Sequence, residues 1–205
     1  MKPDQVYSAI LEYIDSNTTC ICDLHSACSS LLGKVYMCKK QTSQTMVINF
    51  DDVKTKADRD LQLKARKSVD AVVKSPSNKF FCFVEMKSWD LCIKYNGNEK
   101  KIQSQAKKYE SDLPEKLKDS IEICKQITND NSIFDNCNIV YILVTDISVD
   151  SGISIIDSDL TALAGTSSNL NVLCNQLSSN IMNNIPDIQT RYWECRNFDG
   201  NLSSL

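Results

Sequence analysis

Two acids and a lysine, set at a fixed interval, are the residues of this chain best suited to chemistry. Asp70 is followed fifteen residues later by Glu85, and Lys87 lies two positions beyond. They sit in Val69-Asp70-Ala71-Val72-Val73-Lys74 and Lys79-Phe80-Phe81-Cys82-Phe83-Val84-Glu85-Met86-Lys87. Both runs are rich in β-branched and aromatic residues and are separated by Ser75-Pro76-Ser77-Asn78, which predicts two antiparallel strands joined by a tight loop. Side chains alternate along a strand, so Glu85 and Lys87 must point one way while Val84 and Met86 point the other. Pairing Lys74 with Lys79 puts position 68 opposite Glu85, and a slightly longer loop puts Asp70 there. Either register holds the two carboxylates within about one rung of each other, close enough to share a divalent cation. A metal between two acids can polarise a phosphodiester and lower the pKa of bound water, with the lysine ammonium as compensating charge. The plainer alternative is a surface ion pair at the frayed end of a hairpin.

An Asp followed by Glu-x-Lys at the end of the next strand resembles the PD-(D/E)xK nuclease superfamily, with Val69 standing where the name has Pro. The resemblance implies that Asp70 and Glu85 hold Mg²⁺ or Mn²⁺, that the Met86 carbonyl adds a ligand, and that Lys87 orients or activates the attacking water. Twenty residues past Glu85, the stretch 98–111 reads as a helix containing Gln105-Ala106-Lys107-Lys108-Tyr109. Gln and Tyr four apart share a helix face. Gln-x-x-x-Tyr after a Glu-x-Lys strand resembles the extra motif of RecB-like exonuclease domains, which implies that Gln105 and Tyr109 position the phosphate. An amphipathic helix that merely carries these two side chains is the alternative. In many members of the superfamily an acid on the first helix reaches the metal, often through water; Glu12 is the candidate here and Asp15 the alternate.

Charge is distributed unevenly. The chain carries a net −3, yet from Lys54 to Lys108 there are 14 Lys and Arg against 6 Asp and Glu, a net of +8 that contrasts with −11 elsewhere. The positive charge is therefore concentrated around Asp70, Glu85, Lys87 and Gln105, as a phosphate-binding footprint would be. Lys67, Lys100, Lys101, Lys107 and Lys108 are the candidate nucleic-acid contacts, with Lys54, Lys56, Arg59, Lys64 and Arg66 also able to grip a backbone. The acidic remainder is expected to contribute nothing, which makes Lys116 and Lys118 bystanders.

The elements that must position these groups follow in order. Residues 4–16 read as an amphipathic helix with Val6, Ile10, Tyr13 and Ile14 on its apolar face. Cys20, Cys22, His25 and Cys28 crowd into nine residues, whereas structural zinc sites usually pair two separated couples, so core-lining cysteines are expected. Segments 34–38 and 45–50 have strand composition. Segment 51–67 is highly charged without a clean period and reads as a loop with a helical turn. Trp89 is expected to close the core beside the strand end, with stacking on a base as the alternative. Pro114 is expected to end one helix before a second at 115–127. The near-continuous apolar run 138–145 reads as a strand that wants cover on both faces. Segments 159–164 and 170–185 look helical and 190–195 looks like a strand.

These readings predict one α/β domain, a restriction-endonuclease-like αβββαβ core with a mixed central sheet flanked by helices. Residues 1–150 would form the PD-(D/E)xK nuclease-like core and 151–205 a helical and strand extension packed on it. Ten cysteines without a compact framework suggest reduced thiols. The longest apolar run, 139–144, is too short to span a bilayer, and Met1-Lys2-Pro3-Asp4 does not open a signal peptide, so a cytoplasmic protein without a membrane partner is expected. The expected activity is metal-dependent deoxyribonuclease, with DNA as partner and homo-oligomerisation left open. A lone nuclease core with little specificity machinery would endanger a cell, which suggests control by a regulatory ATPase or sensor protein, for instance in defence against foreign DNA. The alternative is a nuclease-fold module that no longer cuts and serves in DNA binding or assembly.

Overall fold

The computed structural model describes residues 1–24, 43–63, 66–96, 98–147 and 166–205. His25, Cys28, Lys64, the expected strand 34–38 and the expected helix 159–164 lie outside them. In chain order the elements are α1 (Pro3–Tyr13), β1 (Thr19–Cys20), β2 (Met46–Asn49), α2 (Phe50–Leu61), β3 (Ala71–Lys74), β4 (Phe80–Lys87), α3 (Trp89–Asn96), α4 (Glu99–Thr128), β5 (Asn138–Thr145), α5 (Thr166–Asn183), β6 (Gln189–Glu194) and α6 (Phe198–Ser203). The strands form one mixed sheet in sequential order, antiparallel from β1 to β4 and parallel from β4 to β6. Because β6 pairs along β5, the last described segment belongs to the same sheet as the first.

Alternation along the strands divides the core into two layers. Phe81, Phe83, Tyr141 and Leu143 face the helices, in a cluster with Val6 and Ile10 of α1, Val53 of α2 and Leu113 of α4. Cys82, Val84, Met86, Val140, Ile142 and Val144 face the other way, onto Trp193 and the Phe198 and Leu202 side chains of α6. Six consecutive residues of β5, Val140 to Thr145, are buried, which is why that run lacks the polar alternation of a half-exposed strand. Glu85 and Lys87 therefore point into the helix-covered layer, as period two requires.

Two stretches depart from the sequence reading. Segment 51–67 is not a loop: α2 occupies most of it, capped by the Asn49 side chain, which accepts from Asp51 N–H at 3.2 Å. Its Phe50, Val53 and Ala57 supply the inward face, a stripe too narrow to stand out among so many charges. Pro114 likewise does not divide a helix. α4 runs unbroken for 30 residues, with Tyr109 and Leu113 buried before the proline and Leu117, Ser120, Ile123 and Cys124 after it. An interior proline costs about 3 kcal/mol. Burying each large apolar side chain returns about 1.5–3 kcal/mol, so the packed residues on both sides outweigh one lost hydrogen bond.

Trp89 opens α3 and is 1% exposed; its indole N–H donates to Ser178 Oγ at 2.7 Å, so it closes the core and offers no face to a base. Asp146, just past β5, caps this helix by accepting from the Trp89 and Asp90 N–H groups at 2.9 and 3.2 Å and from the Ser88 hydroxyl. Burial raises the Asp146 pKa against the lowering effect of Ser88. Cys20, Cys22, Cys82, Cys124, Cys137 and Cys174 are free, as expected, whereas Cys92 is disulfide-bonded, a departure from the expected reduced thiols. Among the described residues, no helix is long and apolar enough to cross a membrane.

Candidate functional site

The hairpin delivers both acids to one place. β3 and β4 pair from Lys74 with Phe81 to Ala71 with Val84, which leaves Asp70 and Glu85 one step beyond the last pair. Asp70 marks a bulge in the ladder. Its N–H donates to the Val84 carbonyl at 3.1 Å, while its own carbonyl accepts from Phe50 N–H at 3.0 Å, so the two main-chain groups point to opposite neighbours. Bulges beside functional sites re-aim a side chain, and here the Asp70 carboxylate turns to β4, where Oδ2 accepts from Met86 N–H at 2.6 Å. Main-chain groups of one strand residue share an edge, so the Met86 carbonyl points to this same side, past the end of β3.

α4 supplies the opposite wall. Tyr109 is buried against Trp89, ring centroids 5.4 Å apart, and presents its face to the Lys87 ammonium at 5.5 Å. Lys87 also forms a salt bridge with Glu85 Oε1. Burial works against the Lys87 charge, but the Glu85 and Asp70 carboxylates outweigh it and lift its pKa above the ordinary lysine value. Lys87 is thus held as an ammonium. Two turns beyond Tyr109, Lys116 reaches back over the acids, with Nζ 2.6 Å from Glu85 Oε1 and 3.7 Å from Asp70 Oδ1. The Glu85 side chain is fully buried, and its other oxygen, Oε2, has no hydrogen-bond partner. Burial first, and the Asp70 charge second, raise the Glu85 pKa against the pull of both lysines.

Outside this pair opens a polar cleft of about 570 Å³, lined by Asp51, Lys54, Thr55, Lys67, Ser68, Asp70, Lys87 and Lys116. Its lining sets four lysines beside the Asp51 and Asp70 carboxylates. Part of the basic stretch is already neutralised. Lys54 pairs with Asp58 at 2.5 Å and Lys56 with Asp15 at 2.9 Å, and Lys67 meets Asp112 at 2.7 Å and Glu115 at 2.6 Å.

Asp70, Glu85, Lys87 and Tyr109 are brought together. Gln105 lies half-buried one turn before Tyr109, near enough to influence the phenol but without a well-formed hydrogen bond to its hydroxyl. Glu12 is exposed on α1 and does not line the cleft, and Asp15 is engaged with Lys56. Lys67 lines the cleft; Lys100, Lys101, Lys107 and Lys108 are exposed along the first half of α4, outside its lining. Lys116 is no bystander, contrary to expectation. A signal for it exists in the sequence: Gln105, Tyr109 and Lys116 stand at i, i+4 and i+11, one stripe of a single helix, which the expected break at Pro114 conceals. Thr55, and Asp51 and Ser68 joined by a 2.6 Å hydrogen bond, also line the cleft without any signal in the motif.

No group of three or more His, Cys, Asp or Glu is gathered for a metal among the described residues. The available donors are two carboxylates and a main-chain carbonyl, hard oxygens that suit Mg²⁺ or Mn²⁺, and the partnerless buried Oε2 of Glu85 fits that use. The fit carries one condition: the Lys116 ammonium already stands between the acids. Compared with protein-family models, with curated proteins and with solved structures, the chain matches none.

Proposed function

We propose that the protein is a metal-dependent deoxyribonuclease with a PD-(D/E)xK-like αβββαβ core, formed by α1, β2, β3, β4, α4 and β5. The observation that carries this reading is the re-aimed Asp70 carboxylate beside Glu85, with Lys87 on the same face and the Gln105 and Tyr109 helix across from them. A divalent ion held by Asp70, Glu85 and the Met86 carbonyl would supply Lewis-acid polarisation of a phosphodiester. Asp70 is oriented for this by the Met86 N–H, and Glu85 by its burial. Lys87, kept protonated by the acids, orients the attacking water and offsets the charge developing on phosphate; it does not remove a proton. Tyr109 fixes the Lys87 position, and Gln105, one turn before it on α4, would contact the phosphate. The cleft lysines hold the DNA backbone, and a regulatory ATPase or sensor protein would restrain the activity.

The test is incubation of purified protein with linear and circular DNA, with Mg²⁺, with Mn²⁺ and with chelator. A second reading, an inactive nuclease-fold DNA-binding module, is favoured by Lys116, whose ammonium neutralises the acids without a metal.

A further inference from the structure

Lys116 has no counterpart in the Asp, Glu-x-Lys and Gln-x-x-x-Tyr pattern, yet it reaches from α4 directly onto both acids. Its ammonium touches Glu85 Oε1 at 2.6 Å and lies 3.7 Å from Asp70 Oδ1. A divalent ion held by these two carboxylates would lie at about 2.0–2.1 Å from their oxygens, in the case of Mg²⁺. The Lys116 ammonium already occupies the space beside both acids, and two cations so close would repel each other.

The backbone of Lys116 is held by Leu113 and Leu117, both buried on α4, so the helix itself stays in place. Its side chain is freer. It is 22% exposed and lines the open cleft, on a four-carbon stem that can redirect a compact charge. Glu85 would not be stranded by its departure, because Lys87 remains on the same oxygen. In the cleft, Lys116 would need a new anion, and a substrate phosphate is the anion that the proposed reaction brings there.

We infer that Lys116 is a tethered counter-cation that holds the divalent-ion position between Asp70 and Glu85 and yields it when a nucleic-acid phosphate enters the cleft, so that metal and substrate bind cooperatively. The inference rests on the nuclease reading for its ligand classes. The coupling follows from charge: with Lys116 on the acids metal binding is weak, and a phosphate that draws Lys116 away strengthens it. Reciprocity requires the metal to strengthen phosphate binding by the same factor.

The test is Mn²⁺ affinity, read by electron paramagnetic resonance of free Mn²⁺, for the wild type, Lys116→Met, Lys116→Gln, Lys118→Met and Glu85→Gln, each with and without a single-stranded DNA oligonucleotide. Lys116→Gln serves if Lys116→Met does not fold. Lys116→Met or Lys116→Gln is expected to bind Mn²⁺ at least about tenfold more tightly than the wild type without DNA, and to gain little when DNA is added. The wild type should gain about tenfold from DNA. Lys118→Met, which removes an exposed charge on the same helix, should behave as the wild type, and Glu85→Gln should bind weakly throughout. Mn²⁺ affinity unchanged or weakened in both Lys116 variants, or tightened equally in Lys118→Met, would overturn the inference. DNA cleavage is scored separately: cleavage by a wild type without the affinity pattern removes the inference and leaves the nuclease, whereas the affinity pattern without cleavage removes the nuclease and leaves the counter-cation.

Discussion

The Asp70 carboxylate accepts a 2.6 Å hydrogen bond from the Met86 main chain, so the acid that immediately precedes β3 is tied to the strand that carries Glu85 and Lys87. The bond takes the place of the next rung of the ladder, which stops at Ala71 and Val84. It gives Asp70 a structural role beside any role toward a metal, and the two can be separated by substitution.

Asp70→Asn keeps an acceptor for Met86 N–H and removes the charge, whereas Asp70→Ala removes both. The alanine variant should lose about 1–3 kcal/mol of stability, the usual cost of stranding a buried donor. The asparagine variant should lose less than half of that. Urea unfolding of the two proteins checks the difference, and both should fail to cleave DNA.

Glu85 is the anion for two lysines, so its removal should not relax the site. Glu85→Ala leaves the Lys87 and Lys116 ammonium groups facing each other and should destabilise the protein by on the order of 3 kcal/mol. Glu85→Gln should be milder, because burial already favours the neutral form at this position. Equal melting temperatures for Glu85→Ala and the wild type would contradict this.

The raised Glu85 pKa has a definite sign. A carboxyl whose folded pKa lies above its unfolded value stabilises the fold fully below the unfolded value and loses that contribution as pH rises through the folded one. The metal-free wild type should therefore lose stability relative to Glu85→Gln as pH climbs above the ordinary carboxylate range. Divalent ions need the carboxylate, so their binding should release a proton there and tighten with pH. Calorimetric Mn²⁺ titration in buffers of different ionisation enthalpy reports the proton directly. Lys87, raised rather than lowered, should add no break near neutrality.

Tyr109 separates packing from hydrogen bonding. Its buried hydroxyl has no partner, so Tyr109→Phe should change stability by less than about 0.5 kcal/mol. Tyr109→Ala removes the ring beside Trp89 and beneath Lys87 and should cost about 3–5 kcal/mol. Gln105→Ala should leave stability intact and slow cleavage by about ten- to a thousandfold. An unchanged rate would make the Gln-x-x-x-Tyr match a coincidence.

Much of this architecture follows from local pattern. The composition and spacing of 69–87 dictate a hairpin that ends in acids, and the apolar run of β5 demands a covered strand. The errors have a common cause: burial decided the outcome where propensity argued against it. Phe50, Val53 and Ala57 anchor a helix in a stretch dominated by charge, and the buried row on both sides of Pro114 carries α4 through a residue that should end it. Lys116 becomes visible only with that continuity, since a helix restarting at 115 has no fixed phase relative to Tyr109. The bulge at Asp70 is equally a product of the folded sheet, because it depends on where β2 and β4 place their hydrogen-bonding groups.

Binding to DNA should depend on salt. For Glu85→Gln, log K should fall linearly with log salt with a slope of about −3 to −6, at roughly −0.9 per phosphate on duplex DNA. Charge reversal at Lys107 and Lys108 should make the slope shallower by about one for each phosphate that the variant no longer neutralises. Lys118 serves as the control, since Lys116 lies in the cleft. A flat dependence would point to a small phosphorylated ligand instead.

The most direct measurement is cleavage of linear duplex and single-stranded DNA by the wild type and Glu85→Gln, side by side, in Mg²⁺, in Mn²⁺ and in chelator. The account predicts cleavage by the wild type with either metal, none in chelator, and none by Glu85→Gln under any condition. Equal cleavage by the two proteins, or a wild type that binds Mn²⁺ through Glu85 and leaves every DNA substrate intact, would contradict it.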